Sequence, residues 1–406
     1  MSWSAQLPKE PMNQKELTMK ANIPSNPLVS RRHLLGAGLA GAALPLLNAC
    51  GSNLNPIEDP GEVESQALAS PASQGFFMPD ESVPHLRSWM AWPTRRDIWQ
   101  ASLEPLRGDM VRLARTIRQF EPVTVVVRSD QMVSARRRLD ANIDLLAFPI
   151  DDAWIRDTGP TFLINGKGAK AGSVFNFNAW GYKQPYSSDA RLAGRMLQYL
   201  GLQAFKAPIV TEGGAIETDG EGTVLVTESA LLNSNRNPGK SKAQVTEALK
   251  GWLGASKVIW LPGGNDYYTD GHIDGYARFV RPGVVLCEIT DDRSYEDYDY
   301  TIANLKALQG ASDARGRRLE VITVQRPRLD KARMGSSEFF APDYVNYYVV
   351  NGGVIVPEFG DSSRDLAARD LVARLYPSRR VVQINIDQIA SGGGGIHCFT
   401  QQEPKV

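Results

Sequence analysis

Cysteine is scarce in this chain. Its 406 residues hold three, Cys50, Cys287 and Cys398, too few and too scattered for a disulfide framework. Histidine is almost as rare, with four. No closely spaced cysteine–histidine cluster is present, which argues against a structural zinc site. Charge of one sign is also lacking: 45 basic residues face 45 acidic ones. That removes the electrostatic case for nucleic acid or another polyanion as a partner. The apolar run from Ala37 to Leu47 is too short to span a bilayer as a mature helix. What remains is a chain of ordinary hydrophobic content, 42%, long enough for one large α/β domain.

The first 75 residues differ in kind from the rest. Arg31 and Arg32 precede the Ala37–Leu47 run, which ends in Leu47-Asn48-Ala49-Cys50. An arginine pair, an apolar run and a cysteine in that order resemble a twin-arginine lipoprotein export signal. Residues 1–50 are therefore expected to be the signal, with Cys50 lipidated as the first residue of the mature protein. Residues 51–75, rich in Pro, Ser, Glu, Gly and Ala, are expected to be a flexible tether. A single catalytic domain is then expected over 76–406. It would be periplasmic or at the cell surface, and would touch the membrane only through its lipid. An ordinary buried helix at Ala37–Leu47 is the alternative.

After the tether one pattern recurs: hairpin, helix, strand. Thr161–Ile164 and Gly172–Asn178 flank an Asn-Gly turn, and the helix Asp189–Leu200 leads to a strand at Ala207–Val210. The same order returns through the helix Lys242–Leu253 and the strand Val258–Pro262. It returns again through Tyr300–Leu308 and Leu319–Val324, and through Arg364–Tyr376 and Val381–Ile386, where Ser362 or Ser363 is the expected N-cap. With a partial unit around Trp89, itself followed by the helix Leu103–Phe120 and a strand at Ala147–Ile150, there are about five units, and recurrence of one supersecondary unit marks a repeat architecture. The expected fold is α/β, a five-bladed pseudo-symmetric propeller of hairpin-helix-strand repeats.

The polar clusters fall at the strand-to-loop junctions. Asp157 follows Trp154-Ile155-Arg156, Glu212 precedes two glycines, and His272 and Asp274 form a His-x-Asp. Four glycines, Gly392–Gly395, run into Ile396, His397 and Cys398. Such a run costs backbone entropy, unless the chain must bend sharply or approach something closely. Converging carboxylates suit a planar cation with several N–H donors, such as a guanidinium. A thiolate suits attack on its central carbon, and an imidazole suits proton delivery to the departing amine. On a strand, His272 and Asp274 would face the same side, whereas His397 would face away from Cys398 and serve structure. Cys287, inside the apolar stretch Gly283–Ile289, reads as an inert core thiol. Trp180 reads by default as a core aromatic, with a pocket wall for an aliphatic chain as the alternative.

Together, several motifs resemble the agmatine deiminase and bacterial-type peptidylarginine deiminase family of the guanidino-group-modifying superfamily. They are Met78–His85 with Trp89–Pro93, Asp152–Pro160, Glu212–Gly214 with Asp219–Thr223, Leu232–Pro238, Asp270–Asp274 and Gly392–Gln402. The resemblance runs from Met78 to Pro404. It implies hydrolysis of a guanidinium to a ureido group and ammonia without metal or cofactor. Cys398 would be the nucleophile, forming a covalent thiouronium, with His272 the general acid and base. Asp157 and Asp274 would hold the guanidinium, Glu212 would orient substrate and His272, and Trp154 would line the pocket. The expected reaction is agmatine to N-carbamoylputrescine. Peptidyl arginine is the alternative substrate, and a silent surface binding protein is the alternative outside catalysis. Two positions depart from the family pattern, which often has Asn where Gly395 and Asp270 stand.

Overall fold

The computed structural model describes residues 69–335, 337 and 339–406. The expected export signal with Cys50, and residues 51–68 of the expected tether, lie outside the described residues. Pro71–Gln74, at the end of that tether, form a single 3-10 turn. Ser70 caps it, and Phe76 N donates back to Pro71 O. The ordered chain thus begins before Phe76.

Four three-stranded sheets share one order. They are built from Thr161–Ile164, Lys170–Val174 and Gln203–Lys206; from Glu217–Thr218, Thr223–Thr227 and Lys257–Leu261; from Ala277–Arg281, Val284–Ile289 and Glu320–Gln325; and from Tyr348–Val350, Gly353–Glu358 and Arg380–Asn385. In each, the first two strands are an antiparallel hairpin and the third runs parallel to the second. A parallel neighbour requires a crossover. Helices Leu192–Tyr199, Lys242–Leu253, Tyr298–Gly310 and Ser362–Leu375 supply it.

The fifth sheet places His85–Ala91, Val123–Val127 and Asp144–Ala147 in parallel, crossing over through Leu103–Arg118. Its antiparallel partner comes from the other end of the chain: Gln401–Pro404 pairs with His85–Ala91. The partial first unit is thereby completed by the C-terminus. The main apolar cluster carries the same join, packing Met90, Val125 and Leu106 with Val354, Val356 and Ile386.

Helix Leu103–Arg118 buries Leu106, Met110, Leu113, Ala114 and Ile117 along one face, at the spacing a 3.6-residue period dictates. Lys242–Leu253 begins at a Ser241–Gln244 capping box and stops at Gly254 in the left-handed region. The helix from Ser362 is capped by Asp361, which accepts from Arg364 N, and not by Ser362 or Ser363. Two expected strands shift. The chain pairs at Asp144–Ala147 and Gln203–Lys206, not at Ala147–Ile150 and Ala207–Val210. Ile150, Ala207 and Ile209 are buried but lie in loops leaving the sheets; their hydrophobicity records burial, not ladder pairing. Among the described residues, no helix is long and apolar enough to cross a membrane.

Candidate active site

Each polar cluster sits on a short turn after a strand. Asp157 lies in the turn Ile155–Thr158, and Glu212 stands before the 3-10 turn Gly213–Ala215. His272 precedes the 3-10 turn Ile273–Gly275, which contains Asp274. These two are therefore not on a strand. Asp270 and Gly271 both have positive φ, 59° and 92°, and Thr269 Oγ1 accepts from His272 N, so the chain is bent where an extended run was expected. Ile396–Phe399 is likewise a turn. The face-alternation rule does not apply there, and His397 and Cys398 both reach Asp274.

Three of the groups crowd one point. A Cβ added to Gly214 would lie 2.6 Å from His272 Nδ1 and 3.1 Å from both Asp157 Oδ1 and Asp274 Oδ2. Gly214 N donates to Asp157 Oδ1 at 2.9 Å. His272 Nε2 faces Glu212 Oε2 at 3.3 Å, and its Nδ1 lies 3.9 Å from Asp157 Oδ1 with no hydrogen-bond partner. Arg236 Nε donates to Glu212 Oε1 at 2.6 Å, and Arg236 Nη1 to Asp270 Oδ2 at 2.8 Å. Glu212 is thus oriented from both sides. Asp270 in turn supports Arg236.

The electrostatics follow from burial and these neighbours. Desolvation works against the His272 imidazolium, but Asp157, Glu212 and Asp274 outweigh it and raise its pKa to about 9. Asp157 is pushed up to about 6, first by burial and then by Glu212 and Asp274, against the pull of His272. Burial also works against ionised Glu212, yet Arg236 and His272 hold it below the usual carboxylate range. The Cys398 thiol is raised well above its ordinary value by desolvation and by the Asp274 and Asp157 carboxylates.

Around Cys398, Asn346 Nδ2 lies 3.4 Å and Asp274 Oδ2 3.6 Å from Sγ. Asn346 Oδ1 accepts from His397 N at 2.9 Å. His397 Nδ1 meets Asp274 Oδ2 at 2.7 Å, and its Nε2 meets Glu81 Oε2 at 2.9 Å. Glu81 also holds Arg278 and Arg156. His397 therefore ties Asp274, through Glu81, to the buried Arg278 and Arg156. The glycine run is explained by close approach: a Cβ on Gly394 would lie 2.5 Å from Trp154 and 3.2 Å from Cys398 Sγ.

Cys398 opens onto a cavity of about 220 Å³ lined by Trp154, Asp157, Trp180, Asp152 and Tyr268, and onto a second of about 690 Å³ that reaches His272 and Asp274. Trp154 packs edge-on against Phe399. Trp180 is no mere core aromatic: its Nε1 donates to Asp157 Oδ2 at 2.9 Å. Ala179, Trp180 and Tyr182 all have positive φ, between 53° and 66°, a strain that cores rarely carry and binding sites often do. No site role was expected for Asn346, or for Glu81 and Arg236, although the last two lie within the motifs Met78–His85 and Leu232–Pro238. Of the three, Asn346 alone stood outside every motif singled out in the sequence.

Sequence comparison now adds to the geometry. The profile of the Porphyromonas-type peptidyl-arginine deiminase family matches residues 77–404. The chain belongs to this family. Within it, the chain is similar to the agmatine deiminase of Ectopseudomonas mendocina, at 41% identity over 360 residues, covering 82% of this chain and 97% of the relative. Agmatine deiminase of Pseudomonas aeruginosa is 39% identical over 370 residues, covering 84% and 98%. Among solved structures, agmatine deiminase of Enterococcus faecalis superposes with a TM-score of 0.80 at 34% identity, covering 83% of this chain and 98% of that one. The family's name and its relatives' names point to different substrates, one a peptide side chain and the other a free amine.

Proposed function

We propose that the protein is a guanidine deiminase that hydrolyses agmatine to N-carbamoylputrescine and ammonia. The observation that carries this is the convergence of Asp157, Asp274 and His272 on the space beside Gly214, with the Cys398 thiol 3.6 Å from Asp274. Two carboxylates flanking one point suit the N–H edges of a guanidinium. Burial and the Asp274 and Asp157 carboxylates favour the neutral thiol, so the arriving cation supplies the positive charge that releases its proton to solvent. Cys398 Sγ then bonds to the guanidino carbon. His272, protonated near neutral pH, gives its proton to one terminal nitrogen, and that C–N bond breaks to release ammonia. The thiouronium left on Cys398 keeps the positive charge between the two carboxylates. Neutral His272 next takes a proton from water as the water oxygen bonds to carbon. The C–S bond breaks, the second water proton passes to sulfur, and the ureido product leaves.

Agmatine is favoured over peptidyl arginine by the relatives named above, and the aromatic walls of the cavity at Cys398 suit its methylene chain. We also read the five sheets as propeller blades around the site. Their common order, and the C-terminal strand that completes the first sheet, support that arrangement. For cellular placement we infer export by a twin-arginine route and lipidation at Cys50, supported by Arg31-Arg32 and Leu47–Cys50. If an Arg31→Lys/Arg32→Lys variant is exported as efficiently as the native chain, that route is excluded. The deiminase reading is tested by assaying ureido product and ammonia from agmatine, free arginine and an arginine peptide. Turnover of the peptide alone would replace agmatine with peptidyl arginine.

A further inference from the structure

Asp152 lines the same 220 Å³ cavity as Cys398 and Asp157, and the chemistry above leaves it without a task. It is 1% exposed. Its Oδ1 accepts from Trp99 Nε1 at 2.7 Å and from Ala153 N at 2.8 Å. Its Oδ2 meets the Gln184 amide at 3.4 Å, at the outer limit of a hydrogen bond. Among the described residues, no Lys, Arg or His lies within 4.0 Å of its carboxylate; nearby Arg95 pairs with Asp97 and Asp151 instead. The other buried carboxylates of the site have basic side chains beside them: Glu212 has Arg236 and His272, Asp157 has His272 at 3.9 Å, and Asp274 meets the His397 ring. A buried carboxylate without a cation is costly, and burial raises the Asp152 pKa accordingly. The remaining wall is largely aromatic, with Trp99, Trp154, Trp180 and Tyr268.

The geometry points to Asp152 as the residue that recognises a second cation on the substrate, a primary ammonium at the far end of the alkyl chain that carries the guanidinium. This rests on the deimination proposed above and names its substrate class, the ω-guanidinoalkyl-ammonium dications. An ammonium brings three donors, enough to satisfy Oδ2 and to form a charge-assisted bond there. The aromatic wall suits the methylene chain. Free arginine would carry its α-carboxylate toward Asp152, and a peptidyl arginine has no cation to offer there. Asp152 is a specificity residue in this scheme and takes no part in bond breaking.

The test compares agmatine with n-butylguanidine, which has the same four-carbon chain and no amine. Steady-state kinetics are measured for the wild type and for Asp152→Asn, which keeps an acceptor for Trp99. The expected result is a loss of about 10- to 100-fold in kcat/KM for agmatine, the size of a charged hydrogen bond. The loss should lie mainly in KM, with n-butylguanidine changed less than about threefold. Asp152→Ser is run in parallel as a second substitution, and turnover of n-butylguanidine reports that each variant is folded. Equal losses on both substrates, or no loss on either, overturn the inference while leaving deimination intact. A wild type that does not turn over agmatine overturns the reading on which the inference rests.

Discussion

Asn346 occupies the space that a side chain at Gly395 would need. A Cβ on Gly395 would run into Asn346 Oδ1, the oxygen that accepts from His397 N at 2.9 Å. The same amide donates to Asp274 O at 3.2 Å and approaches Cys398 Sγ at 3.4 Å. The lack of a side chain at Gly395 is thus matched to a specific neighbour, and that neighbour holds the His397–Cys398 turn.

Gly395→Asn should therefore displace Asn346. We expect a fall in kcat of about 10- to 100-fold, consistent with about 1.5–3 kcal/mol of lost positioning. Asn346→Gly placed in the same chain should recover part of that loss, because it clears the overlap. Kinetics on the two single variants and the double variant measure the coupling. Strictly additive losses would show that the two residues do not compete for one space.

Gly214→Ala should remove nearly all activity while leaving the fold in place. Its methyl would sit 2.6 Å from His272 Nδ1 and 3.1 Å from both cradle carboxylates. The expected loss is at least about 100-fold in kcat/KM, since a misplacement of this size disrupts near-attack geometry. Far-ultraviolet circular dichroism and activity on the same preparation check it. A variant that keeps a tenth of native activity would place the reacting carbon elsewhere.

The pH dependence of kcat/KM, which reports the free enzyme, should be bell-shaped. Asp157 titrates at about 6 and must be ionised to hold the cation, so activity falls as pH drops through that value. His272 titrates at about 9 and must be protonated for ammonia to leave, so activity falls as pH rises through it. Glu212→Gln removes one of the charges that raise His272 and should shift the alkaline limb downward. An alkaline limb unmoved by that substitution would assign it to another group.

The core thiol should be silent. Cys287 lies within strand Val284–Ile289, has no exposure, and is pushed up to about 12 by burial and by Glu288. Cys287→Ala should leave kcat/KM within about twofold and lower stability by about 1–2 kcal/mol through lost packing. Thermal unfolding and agmatine kinetics test this together. A large loss of kcat with unchanged stability would give Cys287 a role the structure does not.

Local chemistry made much of this fold legible. The Asn-Gly turn after Ile164 marked a hairpin, and the helix and strand that follow it recur at Lys242–Leu253 and Val258–Pro262, so the repeat could be counted. The C-terminal strand could not be read from Gln401–Pro404, whose ladder partner is more than three hundred residues away at His85–Ala91. Long-range pairing leaves no periodicity in a polar four-residue strand. The candidate site was legible where a reactive type stood beside glycine: Cys398, Glu212 and, through Asp270-Gly271, His272. Asn346 was not, because a neutral amide in an aromatic strand approach carries no local sign of its partners, and Glu81, though within the motif Met78–His85, carries no local sign that it would meet His397. His272 and Asp274 were placed together for a reason that failed. They share the site because positive φ at Asp270 and Gly271 turns the chain, not because of strand alternation.

The most direct test of the central proposal is product formation by the wild type and by Cys398→Ala with agmatine as substrate. Ammonia and N-carbamoylputrescine are quantified together, and the intact mass of acid-quenched enzyme is recorded during turnover. We predict equimolar ammonia and ureido product from the wild type, a mass increase on Cys398 matching the bound thiouronium, and neither product nor adduct from Cys398→Ala. Turnover that survives in Cys398→Ala would contradict the account.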